Sequence, residues 1–99
     1  MDLNEMMAQA KDLQARVRAA QDSLDDVTVK GLAGNGAVIV EMTGKYNIKN
    51  IIISPNAMSM TPDTLAEIVK NAFQDAKSKA DDIIDQKMSE ATQGTNLPF

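Results

Sequence analysis

The chain has 99 residues, enough for one domain with a modest core, because a fold of this size leaves roughly a third of its unfolded surface in water. It has no Cys and no His, which excludes disulfides, thiolate metal sites, the commonest general base and the commonest nucleophile–base pairs. The formal charge is −4, and an acidic whole repels phosphate at long range, so any nucleic-acid binding must come from local clusters.

That charge is unevenly spread. Residues 1–26 carry three basic and six acidic side chains, residues 27–55 three and one, and residues 56–99 four and seven. The start, Met1-Asp2-Leu3-Asn4-Glu5, lacks the basic opening and apolar block of a secretory signal. No apolar run approaches the ~18–20 residues of a membrane span. These features read as a soluble cytoplasmic protein.

Leu3, Met6, Ala10, Leu13, Val17, Ala20 and Leu24 recur at alternating steps of three and four. Such spacing predicts a helix from Leu3 to about Asp25 with one narrow apolar seam, suited to meeting another helix. Asp22, Asp25 and Asp26 crowd its end, where the helix dipole disfavours negative charge, so the end is expected to fray.

The period then drops to two. Val27 to Lys30 predicts a first strand, and Asn35-Gly36 a tight two-residue hairpin turn with positive φ. Ala37 to Thr43 predicts a second strand, Gly44-Lys45 another two-residue loop, and Tyr46 to Ser54 a third strand ended by Pro55. Val38-Ile39-Val40 and Ile51-Ile52-Ile53 are consecutive, so these strands carry apolar side chains on both faces. A sheet covered on one face should alternate. One face is assigned to the chain's own helices and the other to a second subunit.

Asn56 to Met60 reads as a loop. Thr61-Pro62-Asp63 reads as a helix start, with Thr as cap, Pro at the first helical position and an acid in the first turn. Leu65, Ile68, Val69, Ala72, Phe73, Ala76, Ala80, Ile83, Ile84 and Met88 carry its apolar stripe, and Gly94 is the expected stop. About thirty residues span roughly 45 Å, too long for burial along the whole length in a small body. The fold expected is α+β: a long N-terminal helix, a three-stranded antiparallel meander and a long C-terminal helix, in a homodimer with Leu13, Val17, Ile39, Ile51 and Ile53 at its interface.

Neither feature suggestive of a small-ligand site carries chemistry. Asp81 and Asp85 lie four apart on the second helix but lack a loop of oxygen ligands, so they read as a solvated face. Gly31, Gly34 and Gly36 join two strands, whereas phosphate loops lead from a strand into a helix. No catalytic residue, metal or cofactor is expected. Cations offer more. Lys11 and Arg18 lie seven apart on the first helix with Arg16 close in sequence, and Lys70 and Lys77 repeat that spacing on the second beside Lys79. Such rows suit successive phosphates. No aromatic residue interleaves with them, so contacts to DNA would go to the backbone, with low sequence specificity.

Three segments resemble the YbaB/EbfC family of bacterial nucleoid-associated proteins. Gly34-Asn35-Gly36-Ala37-Val38-Ile39-Val40, with Gly44 and Ile51-Ile52-Ile53-Ser54-Pro55, is similar to its glycine-rich turn, two strands and terminal Pro. Leu65 through Ala72-Phe73-Gln74-Asp75-Ala76 resembles its leucine-started helix, and Gly94 to Pro98 its closing Gly-Leu-Pro stretch. The resemblance implies a cytoplasmic homodimer that binds DNA and influences nucleoid organisation or gene expression. Two other readings compete: an acidic adaptor that docks on another protein, and a prefoldin-like chaperone. The last needs an even number of strands to return both helices to one end, whereas three send them to opposite ends.

Overall fold

A computed structural model describes residues 2–92 of the chain. Helix α1 (Leu3–Ser23) leads through a 3₁₀ turn (Leu24–Asp26) into strands β1 (Thr28–Ala33), β2 (Val38–Thr43) and β3 (Ile48–Ile53). A second 3₁₀ turn (Pro55–Ser59) and helix α2 (Pro62–Thr92) follow. The expected α+β order is therefore present. Gly94 and the closing stretch to Pro98 lie outside the described residues.

Local chemistry explains the helix starts. Asp2 caps α1 by accepting the Glu5 N–H at 2.8 Å. Thr61 caps α2: its hydroxyl accepts the Thr64 N–H at 3.2 Å, with Pro62 at the first helical position. At the other end of α1, the three Asp residues coincide with a change from α-helix to a 3₁₀ turn, which seats the buried Leu24.

The sheet is an antiparallel meander in the order β1-β2-β3. Both loops are longer than the two residues expected. β1 runs on to Ala33, opposite Val38, leaving a four-residue loop in which Gly34, Asn35 and Gly36 all have positive φ. The second connection spans Gly44, Lys45 and Tyr46, closed by the Thr43 N–H donating to the Asn47 carbonyl at 2.8 Å. Here Tyr46, not Gly44, takes the left-handed conformation, at φ 66°. A three-residue loop that ends in a left-handed residue is a common hairpin geometry, but no Gly announces it here. A bulge between Glu41 and Met42 then shifts the register, so that Met42 faces Ile48.

Register sets which faces are shared. Val38, Val40 and Met42 are fully buried and pack with Ala72, Ala76 and Ala80 of α2. Those alanines stand four apart, one small side chain per turn, which brings the helix axis close to the sheet. Gly31 sits at the closest approach: a Cβ there would lie 2.7 Å from the Ala76 Cβ and closer still to α2 backbone. Gly31 therefore serves helix–sheet contact and not the β1–β2 turn.

The meander delivers α1 and α2 to opposite ends of the sheet, but α2 is long enough to run back across it and beyond. Its far half packs on α1. Along the α1 seam, Leu13, Val17 and Ala20 are half-buried and Leu24 is buried, while Leu3 and Met6 stay 70% and 54% exposed. The helix that this seam meets in the structure is thus the chain's own α2. The result is a rod 68 × 22 × 16 Å.

Candidate nucleic-acid interface

The structure separates the sequence-predicted cations. At 3.6 residues per turn, Lys11 and Arg18 fall within about 20° of each other on α1, while Arg16 is about 200° from Arg18. Arg16 pairs with Asp12 at 3.0 Å and lines a shallow groove between the helices with Lys87 and Glu90. The α1 trio is therefore a pair plus a separate residue. Lys70 and Lys77 share a face of α2, both exposed, and Lys70 stands beside Asp63 and Glu67. Arg16 and Ala91 line the same groove, and the 21 residues from Lys70 to Ala91 rise about 30 Å, so the Lys70 set lies far from the α1 set. Among the described residues, Lys11, Arg18, Lys70 and Lys77 form no ion pair.

Lys79 is placed differently. Its ammonium lies 3.1 Å from the Asp75 carboxylate and donates to the Lys30 carbonyl at 2.7 Å. Asp75 in turn accepts the Leu32 N–H at 3.0 Å. This pair joins α2 to the outer edge of β1. The Asp75 carboxyl is held below its ordinary range, first by the Leu32 N–H and then by Lys79. A folded value below the unfolded one adds stability above the ordinary carboxylate range, lost as pH falls through the folded value. Urea midpoints of the parent and of Asp75→Asn are accordingly expected to differ at neutral pH and to converge in acid. Across the sheet, the Tyr46 hydroxyl donates to Asp81, and this bond raises the Tyr46 value, with smaller contributions from desolvation and from the Asp81 and Asp85 charges. Asp81, one of the two carboxylates four apart on α2, is thus engaged by the β2–β3 loop.

The apolar surface has two parts. Ile48, Ile51 and Ile53 stand opposite Met42, Val40 and Val38, so they share the sheet face that carries α2, yet they are 47%, 43% and 41% exposed. β3 overhangs the helix. On the opposite face Leu32, Ile39 and Ile52 form a row across all three strands. Ile39 is half-buried, the other two exposed. The interface residues expected from sequence thus divide: Ile51 and Ile53 lie under the overhang, Ile39 on the outer face, and Leu13 and Val17 at the α1–α2 contact. Sequence reasoning misses Tyr46 and Asp75 and sets Lys79 among the DNA contacts, because each acts on a partner 35 or more residues away.

An α+β rod with exposed cations on its helices and, among the described residues, no cluster of potential metal ligands has the outline of a small binding module. Residues 1–95 match the YbaB/EbfC DNA-binding family. The chain is 43% identical over 96 residues to a nucleoid-associated protein of Nitrobacter hamburgensis, covering 94% of this chain and 89% of the relative. It is 40% identical over 93 residues to one of Bordetella avium, covering 94% and 86%. A crystal structure of an uncharacterized Helicobacter pylori protein superposes with a TM-score of 0.75 at 13% identity, over 87% of this chain and 91% of that one, a likeness of fold. The chain belongs to the YbaB/EbfC DNA-binding family, a family of nucleoid-associated proteins and not of enzymes. No helix among the described residues is long and apolar enough to cross a membrane.

Proposed function

We propose that the chain acts at the bacterial nucleoid as a homodimer that grips the DNA backbone, with Lys11 and Arg18 of α1 as the principal contacts and effects on nucleoid organisation or gene expression. Family membership over nearly the whole length carries this reading. The cation placement supports it: Lys11 and Arg18 share one face of α1 with no acidic partner among the described residues. Lys70 and Lys77 form a secondary row, weakened by Asp63 and Glu67 beside Lys70. Arg16 and Lys79 are held by Asp12 and Asp75, so recruiting either to a phosphate costs an existing pair.

The overall charge of −4 makes short-range contact decisive. Each phosphate contact adds about −0.9 to the slope of log affinity against log salt for duplex DNA. Replacing Lys11 and Arg18 by Gln in both copies of a dimer is therefore expected to flatten that slope by up to ~3.6, with little dependence on DNA sequence. Fluorescence anisotropy over a salt series reads this directly. An unchanged slope would remove the two residues from the interface, and no binding by the parent at low salt would favour the acidic-adaptor reading.

The dimer rests on the exposed Ile48, Ile51 and Ile53 beneath the β3 overhang and on the outer row of Leu32, Ile39 and Ile52. Contiguous apolar surface on both sides of a thin sheet is costly to leave in water. A second copy is the simplest cover.

A further inference from the structure

We infer that the Asp75–Lys79 pair is a clasp that closes the free edge of β1 against a second copy of the chain, so that breaking it opens a new edge-to-edge contact between β1 strands. The backbone placement carries the argument. β1 is an outer strand, and the Leu32 N–H and the Lys30 carbonyl are turned away from β2. Both are groups that a neighbouring strand would otherwise pair with. Asp75 takes the first at 3.0 Å, Lys79 the second at 2.7 Å, and the two side chains hold each other at 3.1 Å. One turn of helix thus supplies an acceptor and a donor at the spacing of a β-strand partner.

On the opposite edge, one outward group is taken locally. The Ile51 N–H of β3 is accepted by the adjacent Asn50 side chain at 3.0 Å. Of the two edges, β1 is the one whose outward groups, among the described residues, are taken by side chains from a distant segment. Its natural occupant is another β1. Two copies meeting there antiparallel would set their Leu32 side chains side by side on the outer face and extend the apolar row formed with Ile39 and Ile52. With the clasp shut, association is confined to the sheet faces and stops at a closed assembly. With it open, an edge contact is added to a face contact, and the two together propagate. The inference holds whether the resting protein is one copy or two, because it concerns mass gained when the clasp is removed.

The test uses the full chain carrying Asp75→Ala, Lys79→Met or both, followed by light scattering over a concentration series, with circular dichroism to verify helix content. The expected result is a weight-average mass at least double that of the parent for the double variant, rising with concentration, and smaller increases for each single variant. Leu32→Pro added to the double variant removes the outward N–H without touching the β1–β2 ladder, and is expected to return the mass to the parent value. A double variant with parental mass overturns the inference, and so does growth that Leu32→Pro leaves untouched. If the double variant loses its helix signal, the folded single variants decide. Parental mass in both overturns the clasp.

Discussion

Gly31→Ala is expected to destabilise the protein by about 3 kcal/mol or more, at or beyond the upper end of what one added methyl ordinarily costs in a packed core. The added carbon would meet the Ala72 carbonyl oxygen, the Ala76 amide nitrogen and, at 2.7 Å, the Ala76 Cβ. None of these can swing aside as a long side chain would, because two are helix backbone and the third is fixed to it. Relief requires α2 to lift from β1. That motion would also part Ala72, Ala76 and Ala80 from Val38, Val40 and Met42, which are fully buried together. Gly36→Ala is the control. Nothing stands within 4 Å of its added Cβ, so only the positive φ of 84° is at stake. The cost there is about 1–2 kcal/mol. Urea unfolding should show the Gly31→Ala midpoint well below that of Gly36→Ala with a shared slope. Equal midpoints would mean that α2 does not rest on Gly31 in solution.

Ile51→Lys is expected to abolish the proposed dimer while leaving the protomer folded. Ile51 is 43% exposed within one chain, so a lysine there keeps its ammonium in water at modest cost. Inside a dimer the same ammonium would be buried without a partner, at about 3–5 kcal/mol, and two-fold symmetry would impose it twice. Association weakens by roughly a factor of ten for each 1.4 kcal/mol, so a micromolar sample moves to single chains. Light scattering should then report a mass near 10.7 kDa for Ile51→Lys and twice that for the parent. A parent already at 10.7 kDa would overturn the dimer. A dimeric Ile51→Lys protein would move the interface to the outer row of Leu32, Ile39 and Ile52. Helix content matching the parent shows that the substitution acted on association and not on folding.

The two experiments probe different parts of one design. The alanine ladder of α2 and Gly31 of β1 let helix and sheet approach closely, but they cover only β1 and β2. β3 lies beyond the reach of a single helix, and its isoleucines remain in water. Small residues at the contact thus give a thin, tightly packed layer and, beside it, an apolar strip that one chain cannot cover.

Much of this was legible in the residues. The seam from Leu3 to Leu24 marks a helix because a step averaging 3.5 residues fits no strand, and Thr61-Pro62-Asp63 marks a helix start because cap, fixed φ and first-turn acid coincide. The branched runs at Val38 to Val40 and Ile51 to Ile53 mark strands with two apolar faces. Reading failed at Gly31 and Tyr46. A glycine near Asn35-Gly36 looks like part of the turn, and nothing local reveals that α2, some forty residues on, needs its missing side chain. Tyr46 gives no sign of a positive φ, since Gly44 beside it suits the shorter loop better.

Chain chemistry by itself settled the element types, their order and the antiparallel meander, because helix period, strand alternation, caps and turn residues act over a few neighbouring positions. Which partner the α1 seam meets, which cations stay out of ion pairs among the described residues and what reaches the β1 edge were decided only by packing. Lys79 and Lys77 are alike as sequence, but a helix turns 100° per residue, and that rotation brings the first onto the β1 edge and leaves the second in water. Such assignments depend on the distance and rotation between segments that are remote along the chain, and no local pattern encodes those.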